Sequence, residues 1–398
     1  MRVRRGAAGC LVALLAGALP ALATPVGASA EPAASSNIAV PAPEWTALLD
    51  RRMGWTGADG IYSIPLSGDE RPGSAGATTT FFTFSDTFIG RVNASGQRVS
   101  GATLVNNTNA LLVGAEPDPS DIDFYWRTST GGAPLAQVVP RPHTDPRRWF
   151  WPNDGVVVNG KLYLYGLRMK EGGGGAFPFA VDGMSLLRTD ADSVPPFSSY
   201  QQVDTPLYLP KSGAKGETTY GQAVLPNTVT AGAPEADGYL YVYGVRNDRS
   251  SKKMVVARVL PQQIEDFSAY RFYSQGGWTP SIAAATPLTD RISSEYSVSP
   301  LADGRYILVF QLDTLSNKVA VRYADTPVGP WSDYTVVYTA PEDDISPNTY
   351  TYNAKAHPHL STPDRLLISY NVNTFDFFEH FSNADIYRPR FIWLPLDQ

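Results

Sequence analysis

The chain has 398 residues and a formal net charge of −6, with 32 Lys and Arg against 38 Asp and Glu. No basic cluster interrupts this acidic balance, which argues against nucleic acid and anionic membrane surfaces as partners. The single cysteine, Cys10, falls in the N-terminal leader, so the mature protein is expected to carry no thiol, disulfide or cysteine–metal centre.

The leader begins with Arg2, Arg4 and Arg5, continues through an apolar stretch from Cys10 to Ala23, and ends at Ala28-Ser29-Ala30. This pattern predicts a signal peptide over residues 1–30 and a secreted, extracellular product. The apolar stretch is too short and too rich in Ala and Gly for a stable membrane span. The Arg4-Arg5 pair leaves general and twin-arginine export both open. Residues 31–43, rich in Pro, Ala and Ser, read as a flexible linker, and residues 44–398 as a single domain.

Glu44–Arg52 predicts a short helix, and Leu260–Phe267 a second, with Pro261 in its first turn. Elsewhere the chain reads as short β runs punctuated by Gly, Pro, Asn and Asp. In order they are residues 79–84, 156–166, 239–245, 254–259, 305–310, 318–323, 366–372 and 390–394. The runs recur as a unit: a polar opener, a strand, a tight Asn-Gly or Asp-Gly turn, and a second strand rich in Tyr, Leu and Val. Both dipeptides supply the positive φ of two-residue hairpins. The openers are Asp59, Asp154, Tyr220, Glu295 and His357. Five such units predict an all-β, five-bladed β-propeller, expected as a monomer.

In a propeller the innermost strands run the same way along a central channel, so their first residues ring one mouth. Asp86 ends the strand antiparallel to the one that Asp59 opens, and is expected beside it. Glycoside cleavage needs two carboxyl groups, one to protonate the leaving oxygen and one to activate water or attack the anomeric carbon. Crowding raises one pKa and keeps that group a proton donor. Asp59, Asp86, Asp154 and Glu295 offer such a crowd, with acid and base roles unassigned. Those of the four that are not the catalytic pair, with Tyr220, Tyr296, Trp151 and His357, are expected to bind substrate or tune pKa values. Trp55, Trp149 and Tyr352 are further aromatic candidates for stacking on sugars, which suits a neutral polysaccharide substrate. Each residue also has a plainer role: Asp154 as a turn residue before Gly155, His357 as a satisfied core histidine, and the aromatics as packing. A propeller that binds carbohydrate without cleaving it is the alternative function, and a protein-binding scaffold ranks behind it.

Several motifs then resemble a known family. They are Gly57-Ala-Asp59-Gly60, Phe84-Ser-Asp86-Thr87-Phe88, Trp151-Pro-Asn-Asp154-Gly155, Ser294-Glu295-Tyr296-Ser297-Val298, Tyr352-Asn-Ala-Lys-Ala-His357-Pro358 and Ser369-Tyr-Asn-Val-Asn373. Together they are similar to a family of exported bacterial propellers catalogued as a domain of unknown function. That family includes endo-D-arabinanase-type glycoside hydrolases acting on mycobacterial arabinan. The resemblance runs from about Trp55 to Leu394 and implies Asp59 and Asp86 as its two catalytic aspartates. Some five-bladed furanosidases hold a calcium near a histidine, which His357 resembles; no other cofactor is implied. The chain departs from the family at His359, where a Glu is common, and at Ser85, where Gly is common.

Overall fold

The computed structural model describes residues 37–172 and 179–396. The expected signal peptide and most of the expected linker lie outside the described residues. Within them the protein is all-β, and successive strands pair antiparallel.

Five sheets have four or more strands. Sheet one comprises Tyr62–Pro65, Thr79–Phe84, Thr108–Val113 and Ile122–Tyr125. Sheet two comprises Arg148–Val158, Lys161–Glu171, Phe179–Asp190 and Gln201–Thr205. Its first hairpin turns at Asn159 and Gly160, with φ of 50° and 72°, the left-handed pair that a type I′ turn needs. Sheet three is built on Glu217–Asn227, Tyr239–Asn247 and Lys252–Val259. Sheet four runs Tyr296–Pro300, Tyr306–Gln311, Lys318–Ala324 and Thr335–Thr339. Sheet five runs Thr349–Ala356, Arg365–Thr374 and Arg390–Pro395.

The fourth strand of sheet five comes from the other end of the chain. Val40 and Pro41 pair with Trp393 and Ile392, and the Ile38 N–H donates to Val337 O at 3.0 Å. Residues 38–41 were expected within a flexible linker. Their alternation of Ile38 and Val40 with Ala39 instead supplies an outer strand to an edge that would otherwise stay unpaired. The helix that follows is Pro43–Leu48, and the second expected helix shortens to a 3₁₀ turn at Pro261–Gln263.

Each sheet buries its faces against its neighbours. Ile64, Phe81 and Leu111 of sheet one meet Phe150, Leu162 and Leu187 of sheet two. Similar apolar layers join sheets two and three, three and four, and four and five. Phe82, Phe84 and Leu112 then pack with Leu367, Phe391 and Trp393 of sheet five. The first strands of consecutive sheets also touch. Where the first strand of sheet one meets the end of the first strand of sheet five the contacts are polar: the Lys355 ammonium lies 4.2 Å from the Tyr62 ring centroid, and His357 Nδ1 is 2.7 Å from Ser63 Oγ.

A further sheet, Met53–Ala58, Thr87–Arg91 and Thr103–Val105, was not foreseen. Arg98 pins it to the C-terminal segment. Its buried guanidinium donates to the carbonyls of Thr56, His380, Ala384 and Ile386 at 2.6–3.2 Å.

Candidate active site

The first strands of sheets two, three and five carry the same irregularity. Their register shifts between Pro152 and Gly155, between Tyr220 and Ala223, and between Tyr352 and Lys355. One extra residue in sheets two and five, and two in sheet three, re-aim the side chains around the bulge. Gly155 allows this in sheet two, because a Cβ there would lie 2.2 Å from Tyr163 O. Asn353 takes φ of 58° in sheet five, a value that Asn tolerates better than most residues. A pocket at the centre of the molecule is lined by Tyr62, Asp154, Val224, Ser297 and Lys355, among others. Each of these five belongs to the first strand of a different sheet.

Asp59 and Asp86 stand side by side. The Asp59 N–H donates to Asp86 O at 3.3 Å, and the Ser85 N–H donates to Asp59 O at 2.9 Å. Both residues are buried. The Tyr352 hydroxyl donates to Asp59 Oδ2 at 2.6 Å, and is itself held by Asn373 Nδ2 at 3.1 Å. Asp86 Oδ1 accepts from Trp151 Nε1 at 3.0 Å and from Asn106 Nδ2 at 3.2 Å. Burial, with the nearby Asp86 and Glu295 charges, pushes the Asp59 pKa up to about 8, against the hydrogen bonds from Tyr352 and Tyr387. The charged form is disfavoured by desolvation and by like charges together.

Glu295 and Asp154 complete the cluster around one cation. Lys355, whose side chain is 2% exposed, pairs with Glu295. Asp154 accepts the N–H groups of Val224 and Gly155 at 2.7 and 2.8 Å. Burial nonetheless raises its pKa to about 7, with Glu70 adding to the shift and Lys355 opposing it. Its hydrogen bond to Gly155 is the expected turn contact, but its second oxygen ties sheet two to sheet three.

The remaining expected site residues are placed differently. Tyr220 does not line the pocket. It is fully buried between sheets two and three, against Phe272 at 5.3 Å. Tyr296 is likewise buried, with its hydroxyl on Gly244 O at 2.8 Å. Trp55 lies in the core against Phe84 and Phe124. The two-residue alternation of a strand puts these rings on its core-facing side. His357 borders the pocket, but its ring nitrogens face Ser63 Oγ and Ser369 Oγ at 2.7 and 2.8 Å. Burial holds its pKa well below the usual imidazole value, so it bridges sheets five and one as a neutral ring. With both nitrogens so engaged it offers no free donor to a cation. Among the described residues no three His, Cys, Asp or Glu side chains are gathered as a metal site. His359, the position that departs from the resemblance, is fully buried with Nδ1 3.4 Å from Glu70 Oε2.

The motif Tyr352-Asn-Ala-Lys-Ala-His357 contains Lys355, yet its sequence alone gave no sign that the lysine is the cation of the site. Tyr62 was missed too. Its hydroxyl donates to Gln222 O at 2.9 Å, and its ring floors the Lys355 ammonium.

Comparison with known proteins finds a solved structure of the same fold and others more distantly similar. A candidate hydrolase from Bacteroides ovatus ATCC 8483 superposes with a TM-score of 0.69 at 19% identity, over 89% of each chain. The α-L-arabinofuranosidase of Podospora anserina, solved with cellotriose, gives a TM-score of 0.43 at 12% identity, over 86% of this chain and 92% of that one. A family 117 glycoside hydrolase of the marine bacterium Zobellia galactanivorans gives 0.44 at 13% identity, over 88% and 93%. No curated protein matches. The family described as a domain of unknown function, DUF5005, matches residues 43–395, and the chain belongs to that family.

Proposed function

We propose that the protein is an exported, monomeric glycoside hydrolase with five sheets arranged as propeller blades, cleaving a furanose polysaccharide internally, with a mycobacterial-type arabinan as the polymer. The observation that carries this reading is the Asp59–Asp86 pair, two buried carboxyl groups joined through their backbones in unlike surroundings. Asp59 keeps its proton at neutral pH, as a general acid must. Asp86 accepts two N–H hydrogen bonds on Oδ1, which fix its orientation. In the reaction Asp59 donates its proton to the departing glycosidic oxygen as the C–O bond breaks. Asp86 acts at the anomeric carbon, either directly or by taking a proton from water. Tyr352 and Trp151 orient the two carboxyl groups, and Glu295, Lys355 and Asp154 set the surrounding field.

A module that only binds carbohydrate has no use for a buried acid kept protonated against its own solvation, whose retention costs stability. The designation of the Bacteroides ovatus protein as a candidate hydrolase is in keeping with the catalytic reading. The test is incubation of the mature protein with a panel of arabinans and other furanose polymers, followed by product analysis. Internal cleavage that disappears in Asp59→Asn and Asp86→Asn is expected. Release of no product from any polymer, or full activity in both variants, would overturn the proposal.

A further inference from the structure

Aromatic rings flank the carboxyl pair on both sides, and they belong to the two sheets that neighbour sheet one. On the Asp86 side, Trp151 bonds Asp86 directly and meets Trp149 and Phe179 edge-on at 6.0 and 5.2 Å. On the Asp59 side, Tyr352 bonds Asp59, and Tyr350 projects from the same face two residues earlier, with ring centroids 5.5 Å apart. Phe375 lies 4.4 Å from Tyr350 with the rings 32° apart.

Phe375 is 47% exposed, although the turn that carries it is firmly held. Its N–H donates to Asn348 O at 3.0 Å. Glu379 in the same turn accepts from Ser346 Oγ, Asn348 Nδ2 and Thr374 Oγ1 at 2.6–3.1 Å. His380 Nε2 lies 2.9 Å from Asn373 Oδ1, and Asn373 in turn holds Tyr352. The mounting of the ring is thus continuous with the mounting of Asp59. Core packing does not account for a large ring that is fixed in place yet left open to water. Fixing it beforehand removes an ordering cost from binding. The Tyr350 hydroxyl, buried behind it, has no hydrogen-bond partner.

We infer that Tyr350 and Phe375 form a stacking subsite for one sugar ring of a neutral polysaccharide, opposite the Trp149–Trp151–Phe179 cluster, so that the polymer lies across Asp59 and Asp86. This inference rests on the glycosidase reading and adds to it where the chain binds. The open face of Phe375 fits a neutral chain recognised by the apolar faces of its sugars.

The experiment compares the wild-type protein with Phe375→Ala and Phe375→Tyr. Rates are measured on arabinan oligosaccharides of increasing length, and binding by retardation in arabinan-containing gels using Asp86→Asn as the background. Loss of one stacking contact is expected to lower kcat/KM by roughly 2–10-fold, with the deficit growing with chain length and with Phe375→Tyr restoring it. Retardation should weaken in parallel. Equal rates and equal retardation in Phe375→Ala, or a deficit independent of length, would overturn the subsite. If the wild-type protein cleaves nothing while its retardation depends on Phe375, the glycosidase reading fails and the subsite stands.

Discussion

Replacing Asp59 with Asn separates the catalytic role proposed for this carboxyl group from its cost to the fold. In the unfolded chain Asp59 releases its proton near 3.8, whereas in the folded protein it keeps it up to about 8. Between these values the native state binds a proton that the unfolded state does not, so stability falls as pH rises. Each pH unit in that window costs about 1.4 kcal/mol, which amounts to about 4 kcal/mol by pH 7. Asn keeps the shape and still accepts the Tyr352 hydroxyl, but it has nothing to titrate. Asp59→Asn is therefore expected to match the wild-type protein near pH 4 and to exceed it by a few kcal/mol at pH 7, while activity falls by about 10²–10⁴-fold through loss of the proton donor. Denaturant melts at half-unit steps from pH 4 to pH 8 measure the first effect. Parallel stability curves for the two proteins would refute both the buried protonated state and the acid role assigned to it.

Tyr352→Phe removes a hydrogen bond that lowers the Asp59 pKa, so the alkaline limb of kcat/KM should move to higher pH; a shift downward would contradict the assignment. Lys355→Met strands Glu295, whose side chain is 15% exposed, and should cost about 3–5 kcal/mol. Combining it with Glu295→Gln should recover much of that loss in a denaturant-melt double-mutant cycle. Arg98→Met leaves four carbonyls of the added sheet and the C-terminal segment without their donor and should cost on the order of 4 kcal/mol. The pH profile should stay unchanged, because Arg98 contacts none of the four clustered carboxylates.

Much of this arrangement was legible because hairpins announce themselves. Residues 79–84 form a strand with the expected limits, and residues 318–323 and 390–394 each fall one residue short of theirs. Asn159-Gly160 and the alternating Tyr and Leu that follow need only local rules. The neighbourhood of Asp59 and Asp86 also followed from strand direction alone. Three things did not follow. The bulges at Pro152–Gly155, Tyr220–Ala223 and Tyr352–Lys355 re-aim the side chains around them, and no dipeptide marks them uniquely. Lys355 accordingly went to the pocket, while Tyr220 and Tyr296, which no bulge precedes in their strands, went to the core. The pairing of Val40–Pro41 with Arg390–Pro395 joins opposite ends of the chain, beyond any local pattern. Phe375 was passed over because exposure is a tertiary property, and its sequence neighbourhood reads as an ordinary turn.

The charge balance of the centre explains why the cluster needs both a lysine and protons. Asp59 feels the charges of Asp86 and Glu295, Asp154 feels that of Lys355, and the pair between Glu295 and Lys355 accounts for that single buried cation. Three ionised carboxylates would then remain in a desolvated space, each adding to the others' repulsion. The structure relieves this by raising the pKa values of Asp59 and Asp154 to about 8 and about 7, while Asp86 is oriented by two N–H donors. A neutral polysaccharide laid across the mouth displaces water and brings no countercharge. Its arrival therefore raises the cost of ionising Asp59 further and holds the proton where the leaving oxygen needs it. A cationic ligand would do the reverse, drawing the proton off and disarming the acid, so the same electrostatics that set up the chemistry also select for an uncharged substrate.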